Sequence, residues 1–425
     1  MNRRALLAIG VFGALARAQT PAAISLAQAQ EIAVKNHPRI ASAALRAEAS
    51  RSVVKEARSA FYPTLSGNVT GVGAEHGSTL SAGAVITSSI YSRASSGLFA
   101  TQLITDFGRT RSLEQSARLR SESEDQNVTN TRAKVLLDVK QAYYDALAAE
   151  SVLRAVGAAL DLRRLTLRQV TALAQSGLRS TVDVSFAQVN VSQAELDFLH
   201  AQNDAKASHA RLSAAMGYER DQPFSLSDES LPAAPEAGVD ALIAEALRER
   251  PDLATLRLSH ESLARYAEAE KDLRNPTISA AAAAGVAPVH DPRIQETYSA
   301  AGVNVNIPVL NGGLFRARRE EAESHAAAAD KDVEALSIQI ARDVRVAWLD
   351  ANDAFQRLGV TARMVAEAKE ALRLAQARYD NALGSIVELS QAQLNETNAE
   401  IGATSAKYDY LIRHAVLDFT IGRSR

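Results

Sequence analysis

The sequence contains no cysteine among its 425 residues. This absence excludes disulfide bonds, thiolate metal ligands, thiol catalysis and the attachment of lipid to an N-terminal cysteine. Aromatic residues make up only 5% of the chain, although the hydrophobic class reaches 47%. The apolar content is therefore mostly Ala, Val and Leu, which suits closely packed helices better than a thick aromatic core.

Long apolar runs are also missing, since no segment after the N-terminus has the roughly 18 consecutive apolar residues of a transmembrane helix. The N-terminus itself has Arg3 and Arg4, a short apolar run and an A-x-A site ending at Ala18. This order is typical of a secretory signal peptide, here residues 1–18, whereas a membrane-spanning helix would need about 20 apolar residues. We therefore expect an exported protein that could cross a bilayer only as a β-barrel.

Charge of one sign is not in excess. The sequence has 47 basic and 49 acidic residues, and removal of Arg3, Arg4 and Arg17 leaves 44 − 49, a net charge near −5. No nucleic-acid partner is predicted from this balance.

The eight histidines lack metal-ligand spacing, and His290 with Asp291 is interpreted as a solvated pair. No phosphate-binding loop follows a predicted strand, so no cofactor, metal or enzymatic activity is expected.

The sequence is instead organised as two copies. VDVSFAQVNVSQAE, residues 182–195, returns 205 positions later as VELSQAQLNETNAE, with seven of fourteen positions identical. Three other matched segments extend the duplication, since AVKNHP, YPTLS and VKQAYYDA match ALRERP, NPTIS and VRVAWLDA. We predict a first repeat over 19–217, a connector over 218–238 and a second repeat over 239–425.

Each repeat reads as a helix, two strands around a loop, a very long helix, a short turn and a returning helix. The strands are predicted at 64–74 and 94–105, and again at 277–285 and 297–309. The long helices alternate steps of four and three between apolar or small residues, which indicates supercoiled neighbouring helices. The positions in the first repeat are Val135, Val139, Ala142, Ala146, Ala149, Leu153, Val156 and Leu160. Those in the second are Ile340, Val344, Ala347, Ala351, Ala354, Leu358, Thr361, Val365, Ala368 and Leu372.

The lengths of the predicted helices and the pattern of the predicted strands indicate a structure that several chains build together. A helix over 107–174 would be roughly 100 Å long, and two shorter helices placed end to end would match it as parallel rods. The last strand alternates aliphatic with small or polar residues, typical either of a lipid-facing strand or of a half-buried soluble sheet. Four strands cannot close a barrel, for which about eight is the minimum. A barrel would have to be shared between chains.

The sequence resembles the TolC-like outer-membrane efflux proteins over almost the whole mature chain. The segments that carry the resemblance are ISLAQAQEIAVKNHPRIASA, ARSAFYPTLS, LITDFGRTR, NIPVLNGGLFRAR, SGLRSTVDVSFAQ and RYDNALGSIVELSQAQ. The resemblance implies a mainly α homotrimer with a twelve-stranded membrane β-barrel, four strands per chain, continued by an α-helical tunnel. It also implies the outer membrane of a Gram-negative bacterium, with contact to outer-membrane lipid and a long periplasmic extension.

The implied function is that of a passive exit duct in a tripartite efflux or type I secretion system. Its partners would be a periplasmic membrane-fusion adaptor and an inner-membrane transporter of the RND, ABC or MFS type. The alternative is an exported structural coiled-coil protein without channel activity, which would require neither the paired strands nor the matched rod lengths.

The resemblance places an adaptor-docking surface at the two helical turns, near 177–183 and 382–388. GLRS aligns there with ALGS, and alanine replaces the usual glycine in the second turn. The implied docking residues are Gly177, Leu178, Ser180, Ala382, Leu383 and Ser385.

The resemblance also implies an aperture with a gate beside these turns. Glu388 matches an inner acidic ring that would attract cations, but Gln391 replaces the next acid. Tyr379 and Asp183 match residues that hold the resting entrance closed. Asp183 is equally well explained as a carboxylate that favours a helix N-terminus. The basic partner expected in the second turn is replaced by glycine at position 384, and Arg179 occupies the corresponding place in the first turn.

Overall fold

A computed structural model describes residues 23–73, 75, 79–82, 85–89, 93–222, 224–236, 238–288 and 295–423. The predicted signal peptide, residue 74 of the first predicted strand and the pair His290 and Asp291 lie outside the described residues. The first repeat contains β1 (Ala23–Ile24), α1 (Leu26–Asn36), α2 (Pro38–Ser59), β2 (Thr64–Val72), β3 (Thr79–Ala82), β4 (Val85–Ser89), β5 (Arg93–Thr105), α3 (Arg109–Gln175) and α4 (Thr181–Ala215). The remainder contains β6 (Ser225–Leu226), α5 (Val239–Glu249), α6 (Pro251–Lys271), a 3₁₀ turn (Asp272–Arg274), β7 (Thr277–Val286), β8 (Thr297–Asn306), α7 (Leu314–Asp380) and α8 (Ile386–Ile421).

Both halves contain, in order, two helices, a strand pair, a long helix and a returning helix, and the first half has a further strand pair, β3 with β4, between β2 and β5. The sequence pattern predicted one opening helix in each repeat, and the structure has two. Each opening helix stops just before a proline, which has no backbone N–H and is favoured at the first position of the next helix. The last hydrogen bond of α1 is donated by His37 N–H to the Ala33 carbonyl at 2.8 Å. The last one of α5 is donated by Arg250 N–H to the Ala246 carbonyl at 3.1 Å. The mainly α fold of two repeats, predicted from the sequence, is confirmed.

The two long helices, α3 and α7, have 67 residues each. The side chains of Val135 and Val139 in α3, and of Ile340 and Val344 in α7, are fully buried. These positions belong to the predicted four–three repeat, in which apolar residues line one side of a helix. The repeat therefore marks the faces by which the long helices pack.

A four-stranded antiparallel sheet has the order β2-β5-β7-β8. The pairing of β5 with β7 joins the strands of the two repeats. The strand β8 ends at Asn306, whereas the sequence pattern suggested 309, because Pro308 cannot donate a ladder hydrogen bond. Aliphatic side chains on this sheet are open to solvent in the single chain, including Val69 at 88% exposure and Val303 at 65%.

A short parallel pairing of β1 with β6 was not expected from the sequence. It brings the connector beside the start of the first repeat. The buried Tyr143 stabilises it, since its hydroxyl lies 2.8 Å from the Ile24 carbonyl and 2.7 Å from the Ser227 carbonyl. A tyrosine is suited to this place because it is largely apolar but ends in a hydrogen-bonding group.

The chain forms two compact units, and each draws on both repeats. One contains residues up to 37, 135–235 and 351–415, and the other contains 38–134, 236–350 and 416–425. The helical turns belong to the first unit and the four-stranded sheet to the second. Within the described ranges, no helix has a stretch long and apolar enough to cross a membrane.

Candidate functional site at the two helical turns

The first turn, residues 176–180, connects α3 to α4. Gly177 has a left-handed backbone with φ of +74°, a conformation that glycine adopts without steric cost. Its N–H donates to the Ala174 carbonyl at 3.0 Å, and Leu178 N–H donates to the Leu173 carbonyl at 2.9 Å. This pair of bonds is the Schellman arrangement that satisfies the last carbonyls of a helix.

The second turn, residues 381–385, repeats this geometry with alanine in the glycine position. Ala382 has φ of +60°, its N–H donates to the Tyr379 carbonyl at 3.0 Å, and Leu383 N–H donates to the Arg378 carbonyl at 2.8 Å. A left-handed conformation costs a non-glycine residue about 1–2 kcal/mol. The two turns therefore close in the same way, and the second does so at a conformational cost.

A serine begins the returning helix after each turn. Ser180 Oγ accepts a hydrogen bond from Val182 N–H at 3.1 Å, and Ser385 Oγ accepts one from Glu388 N–H at 3.1 Å. Both serines thus satisfy N–H groups that have no partner within the helix. The leucine of each turn, Leu178 or Leu383, is 72% exposed, so the turns present matching apolar side chains to solvent.

Arg179 of the first turn reaches Tyr379 at the end of α7. Its Nη2 donates to the Tyr379 carbonyl at 2.5 Å, and its guanidinium carbon lies 4.2 Å from the centre of the tyrosine ring. Such a cation–π contact together with a charge-assisted hydrogen bond connects the two hairpins. The arginine at the end of the first hairpin is thus held by the second.

Tyr379 is 3% exposed and packs with three buried side chains, those of Val170, Ile386 and Leu389. Burial raises the pKa of Tyr379, the charge of Arg179 lowers it, and the charges of Asp183 and Asp380 raise it further. Its hydroxyl has no hydrogen-bond partner among the described residues. Arg179 and Asp183 thus lie near Tyr379, whereas the resemblance places the basic partner at position 384.

Glu388, in the first turn of α8, forms an ion pair with Arg378 of α7. Arg378 Nε lies 2.9 Å from Glu388 Oε1. Gln391 is exposed and donates to Asn395 of its own helix at 2.9 Å, so it is not part of this group. Arg378 was not predicted from the sequence, because the family pattern places the basic partner at position 384. Its only sequence signal is a basic residue near a helix C-terminus.

Metal-binding clusters are absent from the described residues. No group of three or more His, Cys, Asp or Glu side chains there is arranged to hold a metal ion.

Comparison with known proteins identifies the family. The model of the outer membrane efflux protein family matches residues 29–218 and 242–423, which are most of the chain and correspond to its two halves. The outer membrane protein TolC of Escherichia coli (strain K12) is 23% identical over 434 aligned residues, which cover 98% of this chain and 85% of TolC.

Solved structures of other channels have the same fold. The outer-membrane channel OprN superimposes with a TM-score of 0.82 at 19% identity, covering 93% of this chain and 89% of OprN. CusC, which forms a transmembrane channel, also gives a TM-score of 0.82, at 16% identity and with 95% and 93% of the two chains covered. The chain belongs to the outer membrane efflux protein family, whose members are transport channels and not enzymes.

Proposed function

We propose that the chain is the outer-membrane exit duct of a tripartite efflux or type I secretion system. It conducts substrates passively from an inner-membrane pump and a periplasmic adaptor to the outside. The observation that carries the proposal is the order of elements within each repeat. A strand pair with exposed aliphatic side chains leads into a 67-residue helix that ends in a tight turn, and this happens twice.

The two edges of the four-stranded sheet support the assembly of several copies of the chain. Its edge strands, β2 and β8, each have only one neighbour in the described chain, and unpaired edges bind further strands. In the proposal, three copies join their sheets edge to edge within the outer membrane of a Gram-negative bacterium. The repeats over 19–217 and 239–425 then supply equivalent parts of one ring, with 218–238 as their connector, and the helices extend into the periplasm.

The experiment that tests the duct is extraction and reconstitution. Outer-membrane fractions from cells that express the chain are solubilised in detergent, and the purified protein is added to a planar lipid bilayer. We expect a trimer in the outer-membrane fraction and discrete conductance steps. Recovery as a soluble periplasmic monomer, or a membrane trimer that never conducts, would contradict the proposal.

The adaptor is proposed to bind at the two turns through Leu178 and Leu383. Two 72% exposed leucines in equivalent positions are apolar anchors that a partner can bury. The flanking docking residues Gly177, Ser180, Ala382 and Ser385 act through the backbone, since they set the turn and begin the helix. The pump is proposed to be of the RND, ABC or MFS type and supplies the energy.

Replacing Leu178 and Leu383 together by Asp is expected to abolish cross-linking to the adaptor and leave the trimer intact. A matched control is Leu165→Asp with Leu349→Asp, because both of these leucines are exposed on the long helices away from the turns. Normal cross-linking of the turn variant would place the docking surface elsewhere.

The entrance is proposed to be formed by the same turns. Asp183, Tyr379 and Arg179 hold the resting state closed, while Glu388 and Gln391 line the opening. The contact of Arg179 with Tyr379 supports this role, because it fastens the first hairpin to the second at their ends.

A further inference from the structure

The second hairpin contains its own counter-charge for Glu388. Arg378 stands in the last turn of α7, and Glu388 stands in the first turn of α8. Their side chains meet across the turn at 2.9 Å, and Arg378 Nη2 also donates to the Leu383 carbonyl at 3.2 Å. Since Ser385 fixes the Glu388 backbone, both ends of the pair are positioned by the turn itself.

Gly384 makes room for this pair. A Cβ at this position would lie 3.1 Å from Glu388 Oε2, 3.2 Å from Arg378 Cβ and 3.3 Å from Tyr379 N. These distances are shorter than ordinary van der Waals contacts, so any side chain at 384 would press on the ion pair. The glycine therefore does more than omit the basic residue expected there, because it allows a basic residue six positions earlier to reach the acid.

The first hairpin has a different charge arrangement. The residues equivalent to Arg378, Gly384 and Glu388 are Leu173, Arg179 and Asp183. Arg179 points to the carbonyl and ring of Tyr379, and in the described part of the chain Asp183 makes no ion pair. Each hairpin thus has one arginine beside its turn, before the turn in the second and within it in the first.

We propose that Arg378 is a specificity-determining residue of the entrance, which neutralises Glu388 and prevents the three Glu388 carboxylates from acting as a cation filter. This rests on the proposed function, in which the turns of three copies surround the opening. A ring of unpaired carboxylates concentrates cations, whereas adjacent opposite charges leave only a short-range dipole field. The pair is exposed, so its role is to set charge and not to add stability.

The test is ion selectivity in planar bilayers under a KCl gradient, measured as the zero-current potential. Arg378→Gln is expected to raise the permeability ratio of K⁺ to Cl⁻ on the order of tenfold. This is the lower end of the counter-ion enrichment in a cleft that is lined by charges of one sign. The double variant Arg378→Gln/Glu388→Gln should return to the wild-type ratio. Gly384→Ala keeps every charge but displaces the pair, and should raise the ratio partway.

Arg164→Gln is the matched control. Arg164 also forms an exposed ion pair, with Glu195 at 2.8 Å, but it precedes Gly177 by 13 residues, about 20 Å of helix. The permeability ratio of K⁺ to Cl⁻ in the Arg164→Gln channel should stay at the wild-type value.

Two results would overturn the inference while leaving the duct intact. One is a conducting Arg378→Gln channel with unchanged selectivity, and the other is a wild-type channel that is already strongly cation selective and loses this preference in Glu388→Gln. Absence of current from the wild type and from every variant would instead overturn the proposed duct, and the inference with it.

Discussion

Ala382 adopts a backbone conformation that its own side chain disfavours. The same pair of carbonyl hydrogen bonds closes the turn at Gly177 and at Ala382, so the surrounding helices impose the left-handed conformation on either residue. An alanine there carries a steric cost of about 1–2 kcal/mol that glycine avoids. The equivalent turns of the two repeats therefore differ in strain although they share one geometry.

Ala382→Gly is expected to stabilise the second turn by about 1 kcal/mol, because the relief of strain exceeds the added freedom of the unfolded chain. The measurement is hydrogen exchange of the Leu383 and Gly384 amides, which both donate to the Arg378 carbonyl. Slower exchange is the expected result.

Ala377→Gly is the matched control for this change. Ala377 is exposed and lies within α7, one turn before the helix ends. Glycine there should destabilise the helix by about 1 kcal/mol, the opposite sign. Equal effects of both substitutions would show that the conformation of residue 382 carries no strain.

The group around Tyr379 shows how much of the site could be predicted at this scale. Alignment of the repeats with the family pattern selected Arg179, Tyr379 and Asp183, and the structure brings them together. Arg378 was not predicted, because its partner Glu388 lies ten residues away across a turn. Only the folded hairpin places the two side chains in contact. A missing charge at one position does not reveal which other position supplies it.

The start of α6 depends on a charged pair at its first turn. Arg250 Nη2 lies 2.6 Å from Asp252 Oδ2, and both side chains are mostly buried. Asp252 also accepts from Leu253 N–H at 2.9 Å. Burial acts to raise the pKa of Asp252, but the hydrogen bonds and charge of Arg250, with the Leu253 N–H, outweigh it and hold that pKa below its ordinary value.

Asp252→Ala is expected to lower the free energy of local unfolding of α6 by about 2 kcal/mol, since Arg250 loses two charge-assisted hydrogen bonds. A carboxyl with a depressed folded pKa stabilises the protein above its ordinary value of 3.8, and this contribution is lost as the pH falls through the folded pKa. Hydrogen exchange of the Ala254 amide, measured against pH, should show the variant and the wild type converging below pH 3.8.

Glu320→Ala provides the control, because its ion pair with Arg316 is fully on the surface. Exposed pairs of this kind contribute about 0.2–1 kcal/mol. If the two substitutions had equal effects at neutral pH, the pair at the start of α6 would have no special role.

Helices were the elements best predicted from the sequence, because proline, glycine and apolar spacing are local signals. The long and returning helices lie where predicted, and the buried positions of α3 and α7 follow the seven-residue repeat. The single opening helix predicted for each repeat is wrong, because Pro38 and Pro251 divide it into two helices. The pairing of β1 with β6 was not predictable, because two residues carry no periodicity and their partners are about 200 positions apart. Its stabilisation by Tyr143 required a tertiary contact.

At the scale of the whole molecule, α4 has an apolar stripe that the single chain leaves open. Val182, Phe186, Val189 and Leu196 are between 49% and 66% exposed. They follow steps of four, three and seven, which place them along one side of the helix. A contiguous exposed stripe of this kind marks a surface that is buried in an assembly.

Val189→Asp combined with Leu196→Asp is therefore expected to break the proposed trimer into monomers that still fold. Each carboxylate would be desolvated in the interface without a partner, at a cost of about 1–3 kcal/mol or more. Native mass spectrometry in detergent measures the number of copies, and circular dichroism confirms that the helices persist. Gln188→Asp is the matched control, since residue 188 is exposed on the same helix but outside the stripe. The control is expected to remain a trimer. A trimer that survives the double substitution would show that other surfaces hold the copies together, because the stripe would then face solvent in the assembly as it does in the single chain.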